Sequence, residues 1–409
     1  EFGRHKVRVL AVVAFFTKAP RARRTLIFGS TMHIWSDLFF ALMVPLLPMI
    51  KEDMDLSFTQ VGLIRSVFNG ASGVLQIPAG FLAESVGEFW MLVWGNVWVS
   101  AGLLAMAASP IFIALLVASA IGGLGGGAQH PLASSMVSRA YDDRGRSTAV
   151  GTVNFAGDLG KMVAPVVAGL FAVTLGWRTT MFMVGIAGLI FMFATMFTRR
   201  SVDIGRPAAQ TSETLDTEAA PDNSAQMAGF ITLSGVGVLD AAARTAALVF
   251  LPFVMDAKDM SAAQISGLLF LLFAGGAAGK FVCGWLGDRF NTVSIIWGTK
   301  GLTALMLVLS LVTPPLAMAP LMVLTGIGLN GTSSALYATV AEFVPATRRA
   351  RFYGFYYTTN EIGTVVAPLI YGLVADIFSL NTTMIVMGIA TAAILPASLT
   401  LRKHLDPSP

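Results

Sequence analysis

Charge is scarce in this chain. Only 12% of its 409 residues are Asp, Glu, Lys or Arg, about half the share of an ordinary soluble domain and too little to cover a water-facing surface. Cysteine is scarcer still: Cys283 stands alone, which excludes an intramolecular disulfide and a cysteine-based metal cluster. The residues spell no metal triad, no nucleophile elbow and no Walker-type phosphate loop, so neither an enzyme nor a bound metal or cofactor is expected. The glycine run Gly122–Gly127 does not alter that, since no strand precedes it and no Lys-Ser/Thr pair follows. No small-residue cleavage site precedes the first apolar run, so no cleaved signal peptide is expected.

What the chain has instead is apolar length. It is 55% hydrophobic with a mean hydropathy of +0.72, and runs of about 18 or more apolar residues recur, each able to cross a hydrocarbon core as helix. The runs are continuous rather than alternating, which disfavours a β-barrel. The expected fold is therefore all-α and integral to the membrane. Twelve transmembrane helices are read, near 26–50, 58–82, 89–108, 111–138, 147–174, 179–198, 228–254, 262–286, 293–312, 316–342, 352–375 and 383–401. They form two six-helix bundles, 26–200 and 228–402. Residues 1–25 read as a basic amphipathic segment lying on lipid headgroups. Residues 201–227 are polar and rich in Ala, Thr, Pro and acids, the composition of a flexible linker, and 403–409 form a short tail.

The formal net charge of +4 does not point to nucleic acid, because the basic residues collect in loops of one face. Arg139, Arg144, Arg146, Arg199, Arg200, Arg206, Arg289, Arg348, Arg349, Arg351, Arg402 and Lys403 fall on one side; Lys51, Arg178 and Lys258 fall on the other. By the positive-inside rule both termini are expected to be cytoplasmic; the expected membrane is the cell (inner) membrane.

An internal repeat runs through the chain. Gly123, Arg146, Gly151, Asp158 and Pro165 answer to Gly326, Arg349, Gly354, Glu361 and Pro368, an offset of 203 (361 − 158). Pro48, Asp55, Gln60 and Gly80 answer to Pro252, Asp259, Gln264 and Gly284 at 204 (252 − 48). Two repeats in one orientation imply a pseudo-two-fold axis along the membrane normal, with a site expected between the halves near the midplane.

Ionisable residues inside apolar helices are the functional candidates, because an unpaired charge there is costly. His33 and Asp37 share one face of the first span and can take up and release a proton near neutral pH; they also read as a pair that merely joins two helices. Asp158 and Lys161, three apart on the fifth span, either neutralise each other or face a cavity. Glu361 repeats the Asp158 position with no basic residue near it in sequence, which suits a proton carrier. Arg65 on the second span has Asp37 as its expected partner and suits an anionic substrate group, with a snorkelling arginine as the plainer reading. His130 before Pro131, the Asp240–Arg244 pair and Lys280 are substrate-contact candidates that read equally as structural, and Lys300 reads as structural. Asn360 and aromatics such as Trp35, Phe39, Phe68, Tyr337, Tyr353, Tyr356 and Tyr357 are pocket-lining candidates, although most aromatics in such a chain pack against neighbours.

The loops Gly80-x-Leu82-Ala83-Glu84 and Gly284-x-Leu286-Gly287-Asp288-Arg289 resemble the signature of the major facilitator superfamily, and the resemblance covers essentially the whole chain. It implies a gating role for Gly80, Glu84, Gly284, Asp288 and Arg289. In the first copy Ser85, Gly87 and Glu88 stand where basic residues are usual. Within that superfamily the first half is similar to the fosmidomycin-resistance type of drug exporter. The residues that carry this are Ser30-x-x-His33-x-x-x-Asp37, Pro45–Pro48, Leu56–Gly62, His130-Pro131 with Arg139, and Gly157–Pro165. The resemblance implies a proton-coupled antiporter, working by alternating access as a monomer, that exports a small drug-like or organic-anion substrate. A proton symporter importing an organic anion, such as a carboxylate, phosphonate or phosphate ester, is the alternative. An uncoupled facilitator or lipid flippase is a third reading.

Overall fold

A computed structural model of the chain describes residues 20–141, 146–202, 224–286, 289–344 and 349–405. Most of the expected basic segment, most of the expected linker and the last four residues lie outside it. The described residues are almost wholly helical. In chain order they form α1 (Pro20–Asp53), α2 (Phe58–Val86), α3 (Glu88–Ala107), α4 (Phe112–Leu124), α5 (Gln129–Ala140), α6 (Arg146–Val167) and α7 (Val173–Met196), followed by α8 (Ser224–Asp256), α9 (Ala262–Leu286), α10 (Thr292–Val312), α11 (Met318–Phe343), α12 (Arg349–Ile377), α13 (Leu380–Ala392) and α14 (Ile394–Leu405). Nine helical stretches among them are long and apolar enough to cross a membrane. One of the nine, Thr148–Met196, holds both the fifth and the sixth expected spans, with a turn at Gly176 (φ 78°, ψ 165°) between them.

The repeat seen in the sequence has a local physical cause. After α1 the chain turns at Asp55 (φ 50°), and after α8 it turns at Asp259 (φ 58°). These are left-handed conformations that a short polar side chain tolerates better than most. Each turn is followed by a capping box. Ser57 N–H donates to Gln60 Oε1 (2.8 Å) and Gln60 N–H to Ser57 Oγ (3.2 Å). Ser261 and Gln264 do the same at 2.8 and 3.3 Å. Reciprocal bonds of this kind satisfy helix-start donors that would otherwise lack partners.

The fourth expected span, read as one helix near 111–138, is divided in the structure. It breaks between α4 and α5 at Gly125–Ala128, and Pro131 sits in the first turn of α5, where its missing N–H costs little. Close packing explains the break. A Cβ at Gly126 would overlap the Phe40 ring, and one at Gly127 would overlap the Ser72 carbonyl oxygen. Gln129, the first residue of α5, ties that helix to α3, donating to Leu92 O (3.0 Å) while its Oε1 accepts from Asn96 (3.1 Å). The twelfth expected span is likewise divided, at Ala393, with Pro396 in the first turn of α14.

The chain forms two compact units. One contains the described residues up to Met43, Ala71–Ala164, and the chain from Leu175 to Val202. Its core includes Phe28, Met32, Leu92, Met136, Val153 and Met192, with Phe28 stacked on Phe89 at 4.7 Å. The other contains Val44–Gly70, Pro165–Thr174 and the described residues from 224 onward. Its core includes Phe230, Leu233, Ile296, Leu336, Val340 and Leu401. In this second unit the start of α2 packs on α12: a Cβ at Gly62 would overlap the Pro368 carbonyl oxygen. Asp376 accepts from the N–H groups of Phe58 and Thr59, both at 2.8 Å, and so caps α2. Asp376→Ala is expected to lower stability by about 1 kcal/mol, read as a fall in the thermal midpoint of the detergent-solubilised protein.

Candidate functional site

The first charged cluster is built where α6 meets α1. Small residues on α6 let the backbones approach: a Cβ at Gly160 would overlap the Ile34 carbonyl oxygen, and one at Gly157 would overlap Asp37 Oδ2 and stand 2.7 Å from the His33 ring. Into this seam α1 projects His33 and Asp37, each 2% exposed. Lys161 Nζ lies 3.1 Å from Asp37 Oδ2 and 3.3 Å from Asp158 Oδ1, and His33 Nε2 lies 3.6 Å from Asp37 Oδ2. One ammonium therefore bridges two carboxylates beside an imidazole. With His33 neutral the set carries one net negative charge, and a single added proton neutralises it. The sequence suggested Arg65 as the partner of Asp37 and Lys161 as the partner of Asp158 alone. The structure sets Lys161 against both acids. Spacing along a helix shows neighbours on that helix only; the cross-helix pair depends on Gly157 and Gly160, which flank Asp158 and bring α1 within reach.

Glu361 also has a cation that sequence spacing did not show. Arg65 of α2, 7% exposed, lies within electrostatic reach of it, and the Arg65 guanidinium stands 5.8 Å from the Phe68 ring centre. Glu361 Oε2 accepts from the Thr364 hydroxyl (2.7 Å), and Asn69 of α2 donates to the Thr364 carbonyl (3.3 Å). The two helices are separated by almost 300 positions in the chain, so no local pattern could join them.

A third cluster lies among α8, α10, α11 and α12. Asp240, expected to pair with Arg244 one turn along α8, is held by Lys300 at 2.5 Å. Lys300 is wholly buried and also donates to the Gly328 carbonyl (3.4 Å). Arg244 lies within electrostatic reach of Tyr337 and Tyr356. The Tyr337 ring is 4.7 Å from that of Tyr357 and 5.5 Å from that of Tyr356. Asn360 hydrogen-bonds the Tyr356 hydroxyl, in space left by Gly237, whose Cβ would overlap Asn360 Oδ1.

The remaining candidates are dispersed. Lys280 is half-buried on α9, where its carbonyl accepts from Ser334 at 3.3 Å. Arg289 stacks on the Trp285 ring at 4.1 Å, and Gly284 is exposed near the end of α9. Gly80 and Glu84 lie on α2 and His130 on α5, but the side chains of Glu84 and His130, like that of Tyr353, are outside the described residues, as is Asp288. Trp35 and Phe39 pack together at 5.5 Å, and Trp35 packs on Phe191 at 5.1 Å. Glu88 is a polar anchor that the sequence reading noted only as a departure from the signature. Its carboxylate takes both guanidinium arms of Arg139 and accepts from Ser135 at 2.8 Å.

Long apolar helices that carry buried charge pairs define a multi-pass membrane protein of the transporter class. The Major Facilitator Superfamily model matches residues 30–230 and 233–409, and the chain belongs to that superfamily, whose members are transporters rather than enzymes. It is 25% identical to the fosmidomycin resistance protein of Escherichia coli over 377 residues, 90% of each chain. It is also 25% identical to the 3-(3-hydroxy-phenyl)propionate transporter of Escherichia coli over 357 residues, covering 85% of this chain and 83% of the relative. The crystal structure of a bacterial homologue of the human lysosomal transporter Spinster, inward-facing and occupied, shares the fold with a TM-score of 0.80 at 16% identity, over 95% of this chain and 98% of that one.

The Asp37–Lys161 contact is open to a double-mutant cycle. Asp37→Asn and Lys161→Met are each expected to destabilise the chain, and the pair together by less than the sum. A coupling of about 1–3 kcal/mol is expected, measured by denaturant titration in detergent.

Proposed function

We propose that the chain is a proton-coupled transporter of the cell (inner) membrane, with cytoplasmic termini, that exports a small organic substrate by alternating access. The observation that carries this reading is the Lys161 ammonium shared between Asp37 and Asp158 beside His33, deep in apolar helices. A proton arriving on Asp37 weakens its hold on Lys161, which then pairs with Asp158 alone; when the proton leaves, the bridge re-forms. The contact between α1 and α6 thereby depends on protonation. Glu361 beside Arg65 offers a second acid that can exchange a proton against a fixed cation. To drive the access change, protonation must favour one state by a few kcal/mol. The similarity to a fosmidomycin resistance protein supports export.

Import of an organic anion with protons is the second reading, favoured by the relative named for a hydroxyphenylpropionate. The relative direction of proton and substrate movement separates the two.

In proteoliposomes with an internal pH dye, fosmidomycin or 3-(3-hydroxyphenyl)propionate is expected to trigger proton movement in the wild type. Asp37→Asn should abolish that movement while substrate still binds, and Glu361→Gln should reduce it. Proton flux against substrate flux indicates export by exchange, and flux in the same direction indicates symport. Substrate movement without proton flux in every variant would refute coupling and leave an uncoupled facilitator or flippase.

A further inference from the structure

On α8, Asp240 and Arg244 stand one turn apart, the spacing at which opposite charges ordinarily pair on a helix surface. They do not pair here. A lysine from another helix, Lys300, takes Asp240 at 2.5 Å. Lys300 is wholly buried, and a buried ammonium stripped of its partner is strongly destabilising, so its claim on Asp240 dominates the weaker intrahelical one. Arg244 forms no ion pair among the described residues, and an arginine cannot shed its proton to relieve the charge. Three tyrosine rings gather on the helices facing it: Tyr337 on α11 with Tyr356 and Tyr357 on α12. Tyr357 is 48% exposed, so the cluster is open on that side. Asn360 completes the set. Its amide serves Tyr356 and holds that ring in place, while its Oδ1 is packed against Gly237 of α8.

We propose that Lys300 acts as a positioning residue that occupies Asp240, so that Arg244, Tyr337, Tyr356 and Tyr357 form a subsite for a small aromatic carboxylate. Each part of that ligand follows from a group in the cluster. The guanidinium fork matches a carboxylate with two parallel hydrogen bonds. The tyrosine faces accept an aromatic ring in offset or edge contact. This inference rests on the transport reading for the ligand's being cargo, and it adds the substrate class. Its central claim is a competition: if Lys300 is removed, Asp240 turns to Arg244 and the anion loses its cation.

The test is equilibrium binding of 3-hydroxybenzoate, 3-hydroxybenzamide and benzoate to the purified full chain in detergent, read by calorimetry or tryptophan fluorescence. Both acids are expected to bind about tenfold or more tighter than the amide, in line with a charge-assisted pair. Arg244→Gln should remove the preference for acid over amide. Lys300→Met should weaken the acid about tenfold, and Asp240→Asn in the Lys300→Met background should restore it, since Arg244 is then unopposed again. Wild-type acid binding in Lys300→Met, or no recovery in the double variant, overturns the positioning role. Retention of the acid preference in Arg244→Gln overturns the subsite, and does so even if Lys300→Met fails to fold. No gradient is present in these measurements, so a failure of proton coupling leaves their outcome unchanged. If none of the three compounds binds while another substrate still moves protons, the subsite is wrong and the coupled transporter stands.

Discussion

The constraint on which this structure most depends is the cost of a charge in an apolar interior. Asp37 and Asp240 sit on apolar helices, and each is met by a lysine from a different helix, Lys161 and Lys300, while Glu361 lies within electrostatic reach of Arg65. Such pairs add little net stability, because removing two ions from water costs nearly what their attraction returns. Breaking one is another matter, since it strands a charge. The pairs therefore tie particular helices together at particular points, and they make those ties responsive to a proton or to a competing ion. In a soluble protein the same acids would be ordinary surface residues. Here they are the places where chemistry can change the fold's preferences.

The pairs exist only because the helix backbones come close enough for short and long side chains to meet. That closeness comes from glycine. Gly157 and Gly160 bring α6 onto α1, and Gly62 brings α2 onto α12. Lipid chains are as apolar as leucine, so helix association in a bilayer depends on such close packing and on interhelical polar bonds. The two devices act together in this chain: a glycine seam sets the distance, and a charge pair set into it fixes the register.

The fold class and the repeat were legible in the sequence because they rest on local facts. Hydropathy marks apolar runs, and the paired turns at Asp55 and Asp259 with their Ser-x-x-Gln boxes are written in contiguous residues. The His33–Asp37 and Asp158–Lys161 neighbours were legible for the same reason, being one turn apart. The cross-helix partners were not. Lys161 for Asp37, Lys300 for Asp240 and Arg65 for Glu361 depend on which faces the packed helices present, and a one-residue change in position turns a side chain by about 100° around its helix. The break between α4 and α5 was hidden likewise: Pro131 drew attention, whereas the close approaches at Gly126 and Gly127 decide where the helix ends.

That angular argument also separates what the two repeats share from what they do. Gly160 packs on the Ile34 carbonyl, and its mate Gly363 packs on the Val238 carbonyl, the mate of Ile34. The scaffold contact is the same in both halves. One turn away it is inverted. In the first half His33 on α1 faces a glycine, Gly157 on α6; in the second half the mate of His33 is Gly237, and it faces the mate of Gly157, Asn360. The polar group has moved from the first helix of the repeat to the fifth, filling the same seam from the other side. Asp240 stands one residue before the mate of Asp37, Ala241, and its carboxylate meets Lys300 of α10 rather than a residue of α12. With that acid turned aside, the seam in the second half keeps a cation, three tyrosines and an amide, while the seam in the first half keeps two acids, a lysine and a histidine. One scaffold contact thus carries an acidic set in one half and a cationic, aromatic set in the other, a division that the proposed coupling of protons to an organic anion would use.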